Sequence, residues 1–156
     1  GNSNTYANVA WSPDGRYLAF EHIAQMNFPF TLSVYDLDTD QYLNTHFVSA
    51  DMDSIKPIIW SPVEHKLAFW MMGSLTNDDF DPRTARNLVI FDAETSEFII
   101  ADTAYDFLLR GVSSAWSPDA NAFAFVEQDS NLILTDAATG STVALDDNVN
   151  RIIAWN

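Results

Sequence analysis

The sequence predicts an all-β fold in which one unit of four antiparallel strands recurs along the chain. Three observations carry this. First, Trp11-Ser12-Pro13-Asp14-Gly15-Arg16-Tyr17-Leu18-Ala19-Phe20 aligns without gaps on the segments that open at Trp60-Ser61-Pro62 and Trp116-Ser117-Pro118, with Phe69 and Phe125 in the place of Phe20. Second, a downstream motif follows each copy in the same order: Tyr35-Asp36-Leu37-Asp38-Thr39, then Phe91-Asp92-Ala93-Glu94-Thr95, then Thr135-Asp136-Ala137-Ala138-Thr139. Third, apolar residues come in short runs bounded by Pro, Gly, Asp and Asn, and helical spacing is nowhere sustained. Trp60 stands 49 residues after Trp11 and Trp116 stands 56 after Trp60, near the roughly 40 to 50 residues of a four-stranded propeller blade. The expected architecture is therefore a run of β-propeller blades.

In the first unit the strands fall at Asn8 to Trp11, Tyr17 to His22, Leu32 to Tyr35 and Tyr42 to Phe47. Pro13 and Gly15 supply the fixed and the permissive backbone angles of a tight turn, and Asp36 can bond its own downstream backbone at an Asp-x-x-Thr corner. The second unit repeats this at Ile58 to Trp60, Lys66 to Met71, Leu88 to Phe91 and Phe98 to Ala101. Val63-Glu64 replaces Asp-Gly there, which leaves that turn's type open. The third unit has Ser114 to Trp116, Ala122 to Glu127, Asn131 to Thr135 and Thr142 to Leu145, with Ala120 in the place of Gly15. Arg151-Ile152-Ile153-Ala154-Trp155 matches the strand that opens each unit, so a fourth begins 39 residues after Trp116. The whole chain, 1–156, reads as one propeller segment, a half-propeller or a propeller fragment. Its blades lie at about 5–53, 54–110 and 111–150, and the next starts at 151–156. Such an open arc would need further blades of the same propeller, or a second copy of itself, to cover its ends.

The pattern Trp-Ser-Pro-Asp-Gly-x-x-Leu-Ala-Phe is similar to the repeat of the TolB-like, WD-like β-propeller family, and it covers essentially the whole chain. The resemblance implies a ring usually of six or seven blades. Such rings occur in secreted bacterial proteins, in protein-interaction modules and as accessory domains of some peptidases. It implies a secreted or periplasmic setting and no catalytic residue within the blades.

Composition narrows the partners. Seven basic residues against 22 acidic ones give a net charge of -15, which repels phosphate backbones and anionic lipid, so nucleic acid is a poor partner. The longest apolar runs, such as Leu67 to Met72, fall far below the roughly 18 residues of a membrane-crossing helix, so no membrane insertion is expected. The start, Gly1-Asn2-Ser3-Asn4, has no basic leader, apolar stretch or Met and reads as a processed terminus. With no cysteine there is neither a disulfide nor a thiolate metal site, and no cofactor motif is present.

Several residues suggest chemistry, and each has a competing structural role. Asp36, Asp38 and Asp40 resemble the start of a calcium loop, but Gln41 and Phe47 stand where its Gly and bidentate Glu belong. No metal is expected there. Gly111-Val112-Ser113-Ser114-Ala115 looks like a nucleophile elbow, yet it occupies the strand leading into Trp116. His22, His46 and His65 match no zinc or triad spacing and read as surface or half-buried strand residues. Trp11, Trp60 and Trp116, with Phe20, Phe69 and Phe125, are expected to be buried at equivalent places in the blades. The best local candidate is the longest insertion, 72–87, where Asp78, Asp79, Phe80, Asp81, Arg83 and Arg86 could meet a partner on an exposed loop.

The leading expectation is a non-catalytic propeller module that binds or scaffolds a protein or peptide. A second is the accessory propeller of a larger secreted hydrolase or peptidase, which a flanking hydrolase sequence would decide. A third is a calcium-assisted or carbohydrate-binding module at Asp78, Asp79 and Asp81, which a calcium titration of melting temperature would decide.

Overall fold

The computed structural model describes residues 5–23, 30–43, 48–49, 58–72, 86–101, 114–126, 131–146 and 149. Three antiparallel sheets account for all their regular structure, and no helix occurs among the described residues. The first sheet runs β1 (Thr5–Trp11), β2 (Tyr17–Ile23), β3 (Phe30–Asp36), and then a fourth strand in two pieces, β4 (Gln41–Tyr42) and β5 (Val48–Ser49). The second is β6 (Ile58–Trp60), β7 (Lys66–Met72), β8 (Arg86–Asp92) and β9 (Glu97–Ile100). The third is β10 (Ser114–Trp116), β11 (Ala122–Val126), β12 (Leu132–Asp136) and β13 (Thr142–Asp146).

Among the described residues, strand positions follow the sequence expectation closely, with one difference in the first unit; the strand expected at residues 151–155 lies outside them. The strand expected at Tyr42 to Phe47 is divided. Tyr42 pairs Tyr35 and Val48 pairs Thr31, so the second piece is offset by two residues from the register of the first. Residues 44–47 lie outside the described residues.

Sheet-on-sheet packing explains why the second sheet is apolar on both faces. Leu67, Phe69, Met71, Val89 and Phe91 point to Tyr17, Ala19, Leu32 and Val34 of the first sheet. The alternate residues, Ala68, Trp70, Leu88 and Ile90, point to Trp116, Phe123, Phe125 and Ile133 of the third. A strand buried on both faces needs an unbroken apolar run, which is what Leu67 to Met72 supplies. Trp70 meets Phe125 edge-to-face at 4.7 Å across the second boundary, and Tyr17 stacks on Trp60 at 5.9 Å across the first.

The Trp-Ser-Pro turns differ from one another as their sequences do. Ser12 Oγ accepts the Tyr17 N–H at 2.9 Å and donates to Asp14 at 2.6 Å. Ser117 repeats this with Ala122 and Asp119 at 3.0 and 2.7 Å. Ala120 takes φ 60, against 78 for Gly15, and keeps the same N–H bond back to the serine carbonyl, so the Ala for Gly change leaves the turn type intact. The second turn is different. Ser61 Oγ instead accepts from the N–H groups of Val63 and Glu64, and no described residue between Ser61 and His65 has a positive φ.

One burial expectation is corrected here. Phe69, Phe125, Trp60 and Trp116 are buried, but Phe20 is only half-buried and Trp11 is 53% exposed. The reason is position: the motif Trp of the second and third sheets faces the preceding sheet, and no described residues cover that side of the first.

Candidate functional site

The repeated Asp corners are the most regular chemical feature of the chain. Asp36 Oδ1 accepts the Asp38 N–H at 3.0 Å, Asp92 Oδ1 those of Glu94 and Thr95, and Asp136 Oδ1 those of Ala138 and Thr139 together with the Thr139 hydroxyl. Each carboxylate replaces a backbone acceptor at its turn. Arg16 grips Asp36 through Nε and Nη2 at 3.2 and 3.0 Å and also reaches Asp38 at 3.3 Å. The Arg16 bond, ahead of the backbone bond from Asp38, lowers the Asp36 pKa to about 2. The acidic string is thus bound up in a hairpin corner. Asp136 is held below its usual range by the Thr139 hydroxyl and backbone bonds, and Asp119 by Ser117 and Asn121.

His65 departs from the expectation of a strand histidine. It sits in the turn before β7 and joins two sheets: Nε2 is 2.7 Å from Asp14 Oδ2 of the first, and Nδ1 is 2.7 Å from Glu94 Oε1 of the second. Its ring lies edge-on to Tyr17 at 4.9 Å. A neutral imidazole has one N–H and one lone pair, so it can satisfy only one of two carboxylates. The imidazolium satisfies both. Burial pulls the His65 pKa down, but the bonds to Glu94 and Asp14 outweigh it and the net direction is up. Asp14 is held well below the usual carboxylate range, first by the Ser12 hydroxyl and next by His65. A raised histidine pKa stabilises the folded state fully below the unfolded value near 6.5 and is lost as pH climbs through the folded value. Melting temperature is therefore expected to fall as pH rises above the unfolded histidine value and through the raised folded one, and His65→Gln to flatten that slope. A slope unchanged by the substitution would remove His65 as its cause. His22 lies in β2 with its side chain outside the described set, and His46 lies outside the described residues altogether.

Glu21 is a second residue that the sequence reading passed over. It is fully buried on the face of β2 shared with Tyr17 and Ala19, and it accepts a bond from the Asn8 amide. The signal for it was strand alternation, which puts Glu21 inward with those two residues. Asn8 sits at the β1 bulge with φ 49. Of the elbow-like stretch, residues 111–113 lie outside the described residues, and Ser114 and Ala115 pair with Phe125 and Ala124 in β10.

Of the predicted partner loop, Asp78, Asp79, Phe80, Asp81 and Arg83 lie outside the described residues. Arg86 begins β8 opposite Met72, and only its backbone is described. An open groove of about 530 Å³ runs instead between the β8–β9 corner and the third sheet, lined in part by Lys66, Asp92, Glu97, Phe98 and Ala138. Lys66 pairs there with Glu64 at 2.6 Å, and Phe98 is partly exposed to solvent.

No protein-family model matches this chain, and no curated protein matches it in sequence. Solved structures do. One is a prolyl endopeptidase, from work on two such enzymes and the role of inter-domain dynamics in their catalysis and specificity. It matches with a TM-score of 0.64 at 13% identity, over 94% of this chain and 22% of that one. The likeness supports a β-propeller-like all-β fold, and the chain spans about a fifth of that enzyme's length.

Proposed function

We propose that this chain is a non-catalytic segment of a TolB-like β-propeller, its three sheets serving as successive blades, and that it binds or scaffolds a protein or peptide. The observation that carries this reading is how the chemically able side chains are used. Asp14, Asp36, Asp92, Asp119, Asp136 and His65 are engaged in turn and inter-sheet bonds. A catalytic constellation needs an acid, a base and a nucleophile converging on one space, whereas these aspartates recur at equivalent corners and turns of the repeat and His65 bridges two sheets. The open groove and the net charge of -15 favour a basic partner.

A second setting is favoured by one specific observation. The match to the prolyl endopeptidase takes in nearly all of this chain and a minor part of the enzyme, which suits an accessory propeller carried by a larger hydrolase. In both settings the blades themselves do no chemistry. Calorimetric titration with a lysine-rich and a glutamate-rich peptide of equal length tests the reading. Binding of the basic peptide alone, weakening as salt is raised, is expected. Equal behaviour of the two peptides, or hydrolysis of proline-containing peptides by the chain alone, would overturn it.

A further inference from the structure

We propose that the groove between the second and third sheets seats an arginine side chain of a protein or peptide partner. This rests on the binding role proposed above and adds to it the side chain recognised and its place. Cross-strand register builds the site. Lys66, Asp92 and Glu97 stand opposite one another across β7, β8 and β9. They lie two residues along from Ala68, Ile90 and Ile99, and strand alternation puts both rows on the face turned to the third sheet. Asp92 and Glu97 are therefore like charges in direct cross-strand opposition, an arrangement that costs stability. Neither carboxylate is neutralised. Asp92 Oδ1 takes the turn N–H groups of Glu94 and Thr95, while its Oδ2 and the Glu97 carboxylate have no hydrogen-bond or ion-pair partner among the described residues. Lys66, the one cation among the described lining residues, is held by Glu64 at 2.6 Å.

The first sheet shows what is missing here. Its matching row is Tyr17, Asp36 and Gln41. Tyr17 is buried and fills its boundary by stacking on Trp60, and Arg16 bonds Asp36 at 3.2 and 3.0 Å while reaching Asp38 at 3.3 Å. In the second sheet Lys66 stands in place of Tyr17 and Glu97 in place of Gln41. The counterpart of Arg16 is His65, which is engaged with Asp14 and Glu94 instead. On the facing wall, Ala138 holds the position that Glu94 holds at the first boundary. The result is an open groove of about 530 Å³ that includes Ile90 and Ile99 and carries two carboxylates without a cation. A guanidinium suits it better than an ammonium, because a planar fork of donors reaches two carboxylates at once, as Arg16 does. The apolar stem of an arginine matches Ile90 and Ile99.

Calorimetric titration of the full chain in about 0.1 M salt tests this with a short peptide of alternating arginine and serine. The same peptide is made with lysine, and with citrulline, the uncharged isostere of arginine. The arginine peptide is expected to bind, the lysine peptide several-fold more weakly and the citrulline peptide not measurably. Glu97→Gln should weaken arginine-peptide binding by about 10-fold, the loss of one charge-assisted hydrogen bond. Asp146→Asn removes the same charge from exposed β13, outside the groove, and should change it by under about 2-fold. Because Glu97→Gln relieves a like-charge pair, its melting temperature should equal or exceed that of the unsubstituted chain. A lowered value would give Glu97 a structural partner and overturn the proposal. Equal losses in the two variants, or equal affinity for arginine and lysine peptides, would overturn it while a basic partner still stood. Failure of both basic peptides to bind would remove the two readings together.

Discussion

Trp60→Ala and Trp116→Ala are each expected to cost about 3 to 5 kcal/mol, while Trp11→Ala costs under about 1 kcal/mol in the dilute monomer. The three residues open the same motif, so sequence equivalence alone predicts equal losses. Structure separates them. Trp60 and Trp116 each bury an indole against the preceding sheet and close a 3.0 Å bond on its backbone, whereas Trp11 is mostly in solvent. Trp60→Phe keeps much of the apolar area but leaves the Ala10 carbonyl without its indole donor, adding about 0.5 to 1.5 kcal/mol to the packing loss. Urea unfolding followed by midpoint at constant slope measures all of these. Stacked repeats contact only their neighbours, so the Trp116 variant should unfold its third sheet ahead of the other two, seen as a second transition or a reduced slope. Equal losses at Trp11 and Trp60 would mean that covering by a neighbouring sheet is not what stabilises the motif.

The fold was legible in the sequence because strands and turns here are local matters. Short apolar runs such as Leu67 to Met72, bounded by Pro62 on one side and by the Asp92 corner after the next strand, place most strand ends within about two residues. The repeat then supplied three readings of each element. What the sequence did not show depends on contacts between distant residues. Trp11 and Trp60 are interchangeable as letters, and only the presence of a covering sheet distinguishes them. His65 looked ordinary because its partners Asp14 and Glu94 lie 51 and 29 residues away. Glu94 is itself a variable position of the corner, matched by Asp38 and Ala138. Hence, among the described residues, the histidine bridge spans one boundary alone. At the other, the positions matching Asp14 and His65 hold Val63 and Asn121, which cannot form an ion pair. The candidate loop at Asp78 to Arg83 had no counterpart in the other units, so the repeat gave no information about it.

Gly140→Ala is expected to cost about 2 to 4 kcal/mol, several times the cost of Gly15→Ala, although both glycines have φ 78. The left-handed backbone is not what demands glycine at Gly140. The equivalent fifth positions of the other two Asp corners are Asp40 at φ 57 and Ser96 at φ 59, so side chains are accepted there for about 1 kcal/mol of strain. The difference lies in what stands opposite. A Cβ on Gly140 would come within 2.6 Å of the Ile100 carbonyl oxygen and 2.8 Å of Ile99 Cγ2, both on the outer strand of the second sheet. Backbone cannot rotate away as the tip of a flexible side chain can, so the two sheets would have to part at that corner. Gly15, by contrast, has nothing within 4 Å of its would-be Cβ, and Gly15→Ala carries only the conformational cost of about 1 kcal/mol. Paired urea titrations of the two variants decide the matter. Equal losses would show that the third corner does not press on β9, and a larger loss at Gly140 would make that corner a point at which the second and third sheets are held in register.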